Sequence, residues 1–422
     1  MAARVPGSAW LVVAAGVTVN LCLGVLYAWS VWKANLVATA DRPAGTAMTG
    51  LNEGWTFLSQ GEATWAYAVC GFTFALTMIP GGRLQDRYGP RAGAAVAAVA
   101  LALGCLVAGF AQSFAGLVVG FGLLGGVGMG FGYAAATPAA VKWFGRDRRG
   151  LIVGLVVAGY GAAAVYIAPL ASTLIATYGL TVSFVALGVA FGVVILTASL
   201  FLKTPPPGYA APSVTPLTPT TAGRDFTTRE MLGTWQYYAL VLLFIGSAQS
   251  GLLVIADATP ILKSAAKDVP FLVENAWLLA CFGGFVNASG RVGTGGYSDR
   301  TGRGNAYTLN GLLAVAGLLA TPAVIEARNV PLLFLVVGVA FWQYGGGLSL
   351  LPALTADFFG AKNLGTNYGF VFLGWGLAFF GPQLAAELRT ATGRADLPFY
   401  LSAAVLAAAV AVGRFVRRPP PR

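Results

Sequence analysis

The sequence contains no histidine and only four cysteines. Histidine is the side chain that most often shuttles protons near neutral pH and ligates metals. The cysteines occupy separate apolar stretches, at Cys22, Cys70, Cys105 and Cys281. Such spacing fits neither a metal site nor a disulfide framework. An enzyme needs a nucleophile–base pair, metal ligands or a cofactor motif, so we expect no catalytic residues, no cofactor and no bound metal.

Charged residues are also scarce, at 10% of the chain against 57% apolar residues. A soluble domain carries about 25% charged residues, so the composition predicts an integral membrane protein. Apolar windows of about 20 residues, enough to cross a bilayer, recur about twelve times. They fall near residues 9–32, 63–82, 92–111, 115–141, 150–176, 180–202, 233–256, 272–297, 305–325, 330–356, 364–387 and 397–416.

The net charge of +11 has two explanations, a nucleic-acid partner or membrane topology. With the amino terminus inside, about eighteen of the 26 Lys and Arg fall in cytoplasmic segments and Arg291 alone lies within a span, as the positive-inside rule requires. Membrane topology is therefore the preferred explanation of the positive net charge. We expect a multi-pass protein of the cell (inner) membrane with both termini cytoplasmic, and no nucleic-acid partner.

The chain contains an internal repeat on either side of a Pro- and Thr-rich segment. GGRLQDRYG (81–89) recurs as TGGYSDRTG (294–302), and WFGRDRRGLIVGLVVAGYG (143–161) recurs as FFGAKNLGTNYGFVFLGWG (358–376). Two related halves with a site between them are typical of secondary transporters. We predict an amino-terminal six-helix bundle at 1–202, a cytoplasmic linker at 203–232 and a carboxy-terminal six-helix bundle at 233–422.

GFGLLG (120–125) matches the dinucleotide pattern, but no strand precedes it. Its glycines instead let helices approach closely.

The repeated loops GRLQDRYGPR and GYSDRTGR resemble the cytoplasmic signature of the major facilitator superfamily. The resemblance implies an all-α fold of twelve transmembrane helices in two pseudo-symmetric halves. An acid at a helix end beside an arginine and a turn glycine suits a short loop that changes shape. The expected conformational motif comprises Gly82, Asp86, Arg87, Gly89, Asp299, Arg300 and Gly302.

Arg291 is the main candidate for binding a substrate. It lies near the expected middle of the membrane, where transporters place their sites, and Asn287 is one turn earlier on the same face. No carboxylate lies within one turn of it. An unpaired buried charge is unfavourable, so Arg291 needs either a distant acid such as Asp257 or an anionic substrate. The planar guanidinium matches a carboxylate, which favours the substrate.

Aromatic residues fall at similar depths on the expected cavity-facing helices. A single tyrosine there could be an interfacial anchor or a packed ring, but five aromatic residues at one depth favour a cage. The predicted cage consists of Tyr27, Tyr133, Tyr160, Tyr344 and Trp375, with Phe372 on the same helix as Trp375.

A narrower resemblance is to the monocarboxylate transporter and oxalate–formate antiporter branch, and to its bacterial lactate-transporting members. GVLYAWSV, GYAAATPAAVKWFGRDRRG, RDFTTREML and GRVGTGGYSDRTGR carry it. It implies that Arg291 binds the substrate and that the aromatic residues surround it. Where the oxalate transporter has a second cation this chain has Trp375, which favours a monocarboxylate. Where animal members have an acid before the arginine and a lysine on the first helix, this chain has Asn287 and no lysine up to Val31.

We therefore expect a proton-coupled symporter of a small monocarboxylate, lactate being the best single candidate, that works as a monomer in the lipid bilayer. Asp257 is the candidate proton-coupling residue. An anion exchanger of the oxalate/formate type is the alternative within transport. A sensor is the alternative of another class, and it would bind without uptake.

Overall fold

The computed structural model describes residues 6–144, 149–206, 209, 225–360 and 363–419, apart from the side chains of 149, 150, 299, 364 and 365. Membrane-length helices dominate these ranges. They are α1 (Gly7–Leu36), α2 (Gln60–Tyr88), α3 (Pro90–Ala111), α4 (Phe114–Val141), α5 (151–178), α6 (180–199), α7 (Trp235–Ala265), α8 (Leu278–Thr301), α9 (Arg303–Glu326), α10 (Val330–Phe359), α11 (Thr366–Thr392) and α12 (Leu397–Phe415).

Ten stretches of the described residues are long and apolar enough to cross a membrane. One of them, Leu151–Ser199, contains both α5 and α6, which are separated at Gly179, where φ is 86° and ψ is 175°. Helix α8 has 24 residues and adds the remaining span, although its polar residues lower its hydropathy. The twelve helices and the absence of a β-sheet in the described ranges confirm the predicted fold class.

The conformational motif lies at the two helix junctions where it was predicted. Gly89 separates α2 from α3 with a φ of 85°, and Gly302 separates α8 from α9 with a φ of 86°. Only glycine adopts such angles without a steric penalty. Asp86 lies 3.9 Å from Lys142, and both side chains are exposed, so this ion pair contributes little stability. The side chain of Asp299 lies outside the described part, and the motif's role stays a prediction.

Residues 203–232 are described only in part, because 207–208 and 210–224 lie outside the described ranges, as do 145–148 of the KWFGRDRRG motif. The segment's far end includes the short helix Thr228–Leu232, capped by Thr227. We call residues 7–202 the N-half and 233–415 the C-half, following the sequence prediction. We call the end of the bundle at which α1 and α7 terminate the outer end.

Close packing of α1 on α5 positions the first residue of the predicted cage. A Cβ atom on Gly24 would lie 2.3 Å from the Ala163 Cβ and 2.5 Å from the Tyr160 carbonyl oxygen. The glycine therefore permits the two backbones to touch. The 3₁₀ turn Gly24–Ala28 follows inside α1 and holds Tyr27 with its ring centroid 5.0 Å from that of Tyr160.

Candidate functional site

Arg291 lies between the N-half and the C-half and is 4% exposed. Its Nε donates to Asn287 Oδ1 at 3.1 Å, Nη1 to the Val157 carbonyl at 3.1 Å and Nη2 to the Tyr27 hydroxyl at 3.3 Å. A guanidinium has five N–H donors. Three of them make these bonds and the Tyr133 hydroxyl is a further hydrogen-bond partner of Arg291, so a bidentate carboxylate would take the place of neutral partners.

The charge of Arg291 has no carboxylate partner among the described residues. The groups that interact with it most strongly are the hydroxyls of Tyr27, Tyr133 and Tyr344, all neutral donors or acceptors. Asp257, the one acid considered as its structural partner, pairs with Lys33 and Arg389 instead. The ion-pair explanation for Arg291 is therefore wrong for this structure.

A hydrogen-bonded chain runs from Arg291 through the cage. The Trp375 Nε1 donates to the Tyr344 hydroxyl at 2.9 Å, which lies 2.6 Å from the Tyr27 hydroxyl. Because Trp375 and Arg291 can only donate, the two tyrosine oxygens accept from both ends. One hydroxyl hydrogen makes the bond between the tyrosines. Asn287 is a further hydrogen-bond partner of the Tyr27 hydroxyl.

The remaining predicted aromatic residues lie together with these groups. Tyr133 packs edge-on against Tyr160 at 5.7 Å between ring centroids, and Phe372 stacks on Trp375 at 4.7 Å. Tyr160 donates to the Met129 sulfur at 3.6 Å. The structure therefore brings Tyr27, Tyr133, Tyr160, Tyr344, Phe372 and Trp375 into one cluster with Arg291 and Asn287.

Helix α2 contributes two aromatic residues to this cluster that the sequence analysis missed. The Phe74 ring lies 4.9 Å from Trp375 and 5.4 Å from Tyr133, so it fills the middle of the cage. Tyr67 is fully buried and its hydroxyl has no hydrogen-bond partner among the described residues. That hydroxyl is close enough to Tyr27 and Asp257 to interact with both electrostatically. A search for aromatic residues on α2 at the depth of Tyr27 would have found both.

Most of the cage is buried in this conformation, although Tyr133 is only partly buried. A cavity of about 10 Å³ lies beside Tyr27 and Asn287, bounded also by Gly283, Gly284 and Phe341. That volume is close to the least that holds one water molecule. A carboxylate does not fit this cavity.

Asp257 lies in a second buried cluster, towards the outer end. Its Oδ1 is 2.6 Å from the Lys33 Nζ and its Oδ2 is 2.6 Å from the Arg389 Nη1. Lys33 is only 1% exposed, because α1 continues to Leu36 instead of ending near residue 32. The expectation that Arg291 is the only buried basic residue is therefore wrong. In the sequence, a lysine at the end of an apolar window resembles a residue that flanks a membrane span. Only the contact with Asp257, which is distant in the chain, distinguishes Lys33 from such a residue.

The family model of the major facilitator superfamily matches residues 21–382. The oxalate:formate antiporter of Oxalobacter formigenes is 28% identical over 345 residues, covering 80% of this chain and 78% of that protein. Apicoplast pyruvate carrier 1 of Toxoplasma gondii is 24% identical, covering 88% of this chain and 80% of that protein. Monocarboxylate transporter 11 of Mus musculus is 32% identical over only 41% of this chain and 35% of its own length.

Two solved transporters share the fold. A bacterial homologue of the human lysosomal transporter Spinster, in an inward-facing and unoccupied conformation, has a TM-score of 0.67 at 16% identity, covering 97% of both chains. The xylose transporter XylE of E. coli, partially occluded and inward open, has a TM-score of 0.68 at 12% identity, covering 98% of this chain and 100% of its own. The family match spans most of the sequence and the helices have the same arrangement, so this multi-pass membrane protein is a member of the major facilitator superfamily.

Proposed function

We propose that the chain is a secondary active transporter of small monocarboxylates that works by alternating access, with lactate as the best single candidate. The observation that carries the proposal is Arg291, a buried guanidinium whose hydrogen-bond partners are all neutral and which has no acidic partner among the described residues. The energetic penalty of burying such a charge is offset when a carboxylate binds it. The hydroxyls of the Tyr27–Tyr344 pair lie beside the guanidinium and can donate to the substrate in exchange for their present partners.

The charge of the cage favours a substrate with one carboxylate over one with two. Arg291 is the only cation in the described cage, and Trp375 offers no charge because its N–H already donates to Tyr344. A dicarboxylate would bring a second negative charge without a partner into a buried site. Burying an unpaired charge is costly, so pyruvate-like and lactate-like acids fit better than oxalate.

Uptake of such an anion requires coupling. Moving one negative charge into a cell against about 100 mV, inside negative, costs about 2.3 kcal/mol. We propose that a co-transported proton offsets this cost. Asp257 is held between two cations, which stabilise its ionised form. It can therefore accept a proton only in a conformation that breaks these pairs, and otherwise the substrate carboxylate itself carries the proton beside Arg291.

Anion exchange is the second candidate, and the relative from Oxalobacter formigenes that is named an oxalate:formate antiporter favours it. In either case we propose a monomer in the cell (inner) membrane with cytoplasmic termini, in keeping with the excess of basic residues in the segments assigned to that side.

The test is uptake of labelled lactate into proteoliposomes in which the pH difference and the electrical potential are clamped separately. Symport predicts uptake that follows an inward proton gradient, is close to electroneutral and needs no internal anion. Stimulation by lactate or oxalate loaded inside, together with insensitivity to the pH gradient, would establish exchange. Binding of lactate without uptake under every condition would reveal a sensor.

A further inference from the structure

We propose that a basic cavity at the inner end of the C-half binds the phosphodiester of an anionic phospholipid headgroup. The inner end lies opposite the outer end, where α9 begins and α10 and α12 terminate. The cavity is separate from the cage, and none of its described lining residues belongs to the cage or to the cluster of Lys33, Asp257 and Arg389. The inference therefore concerns a partner in the membrane and does not depend on which substrate is transported.

The cavity lies where three helix ends meet, and it opens to the surface with a volume of about 360 Å³. The α8–α9 junction contributes Arg303 and Gly304, the end of α10 contributes Asp357 and Phe358, and the chain just after α12 contributes Arg418. A single water molecule needs only about 10–15 Å³. The cavity therefore has room for a phosphate group.

The described lining carries an excess of one positive charge. Arg303 donates from Nε to Asp357 Oδ2 at 2.8 Å, so these two charges offset each other. Arg418 is exposed and forms no ion pair with any residue that the structure describes. A phosphodiester carries one negative charge, and its oxygens accept two parallel N–H bonds from a guanidinium. The lining therefore matches a phosphodiester in both charge and donors.

The backbone on one side of the cavity also suits an anion. Helix α9 begins at Arg303, and the first N–H groups of a helix have no partner within that helix and carry a partial positive charge. Gly304 lies in this first turn, and a Cβ atom built on it would meet no described atom within 4 Å. The space beside the start of α9 is therefore open to a ligand.

The apolar part of the lining favours a lipid over a soluble phosphate. Leu354 and Phe358 border the same cavity as the charged groups. Phe415, the last residue of α12, is 76% exposed and lies three residues before Arg418. A long basic side chain at the end of a transmembrane helix lies at the level of the headgroups. Basic pockets between the cytoplasmic ends of transmembrane helices suit anionic headgroups, and the proposed topology places this end in the cytoplasm.

The experiment uses the full chain, purified in detergent and stripped of lipid. Phosphatidylglycerol, whose headgroup carries one negative charge, is titrated in mixed micelles, and bound lipid is measured by native mass spectrometry. Phosphatidylcholine with the same acyl chains is the control without net charge. Inorganic phosphate and glycerol 3-phosphate test for a soluble ligand. The test variant is Arg418→Gln, and its matched control is Arg417→Gln, which removes a neighbouring exposed arginine outside the described lining.

We expect phosphatidylglycerol to bind the wild type and to raise its temperature of thermal unfolding, because a ligand that binds only the folded state stabilises it. Arg418→Gln should raise the Kd about tenfold or more, as loss of a charge-assisted hydrogen bond predicts. Arg417→Gln should bind the lipid as the wild type does. Asp357→Asn should lower the Kd, because the described lining then has an excess of two positive charges.

Equal binding by Arg418→Gln and the wild type would overturn the inference. An equal loss of binding in Arg417→Gln and Arg418→Gln would also overturn it, since the lipid would then respond to the general charge of this end and not to the cavity. Equally tight binding of phosphatidylcholine would exclude a site that recognises net charge. If inorganic phosphate binds as tightly as phosphatidylglycerol and depends equally on Arg418, the assignment to a lipid is wrong. Because Arg418 is exposed, we expect Arg418→Gln to fold, and its unfolding temperature without lipid checks this.

Discussion

Two buried clusters of charge lie between the halves, and they satisfy their cations in opposite ways. Arg291 is surrounded by neutral groups, an amide oxygen, a carbonyl and tyrosine hydroxyls. Lys33 and Arg389 share the carboxylate of Asp257. A cation whose carboxylate comes from the protein stabilises a closed state. A cation without a carboxylate partner from the protein can bind a carboxylate from solution. The comparison therefore separates the proposed substrate site from a contact that must break in the proposed transport cycle.

The largest expected effect is the loss of transport when the cation without an acidic partner is removed. Arg291→Ala should abolish lactate uptake, because no other group in the cage carries a positive charge. Arg291→Lys should also fail, since an ammonium cannot supply the bidentate pair of N–H donors. The matched control is Arg328→Ala, which removes an exposed arginine paired with Asp268 and should leave uptake unchanged. Near-normal uptake by Arg291→Ala would reject the site.

The second-largest expected effect is a loss of stability in the cluster formed by Lys33, Asp257 and Arg389. Asp257→Asn leaves the buried Lys33 and the partly buried Arg389 without a carboxylate, and removing one partner of a buried pair costs about 3–5 kcal/mol. Lys33→Gln should lower the free energy of unfolding by less, because Asp257 keeps its ion pair with Arg389. Thermal unfolding of the two purified variants in one detergent measures the difference. Equal or reversed stabilities would mean that Asp257 is not the centre of the cluster.

A third variant makes the two clusters more alike by adding a cation to the cage. Trp375→Lys should weaken lactate transport and raise the affinity for oxalate relative to lactate, because a dicarboxylate then finds two cations. The variant also removes the N–H bond to Tyr344. Trp375→Phe removes that bond without adding charge, so it serves as the control. An unchanged oxalate-to-lactate ratio in competition binding would show that selectivity does not follow the number of cations.

The smallest expected effect lies between the clusters, at Tyr67. Its hydroxyl is buried without a partner among the described residues, so Tyr67→Phe should not reduce thermal stability. If the hydroxyl contacts the substrate, KM for lactate should rise by up to about tenfold, the value of one hydrogen bond. Tyr307→Phe is the control, since its hydroxyl donates to the Leu243 carbonyl at 2.7 Å and should affect stability instead of KM. Unaltered kinetics in Tyr67→Phe would assign the hydroxyl no part in binding.

The sequence by itself determined the membrane class, the twelve helices and, besides Arg291 and Asn287, six of the aromatic residues of the cage. These follow from local properties, because the length of an apolar window and the spacing of polar residues along one helix need no knowledge of neighbours. The pairing of Asn287 with Arg291, four residues apart on α8, is of this kind. The motif glycines are another example, since a turn between two helices requires their positive φ.

Only the tertiary structure decided which charges are paired. Lys33 and Asp257 are 224 residues apart, and Arg389 lies 132 residues beyond Asp257. Hydropathy placed Lys33 just outside the first span, because it scores the lysine alone, whereas its burial depends on a carboxylate from another helix. The positions of Phe74 and Tyr67 in the cage likewise depend on how α2 packs against α11. Burial of a charge is favourable only when its partner is present, and that partner is brought there by the packing of helices far apart in the chain.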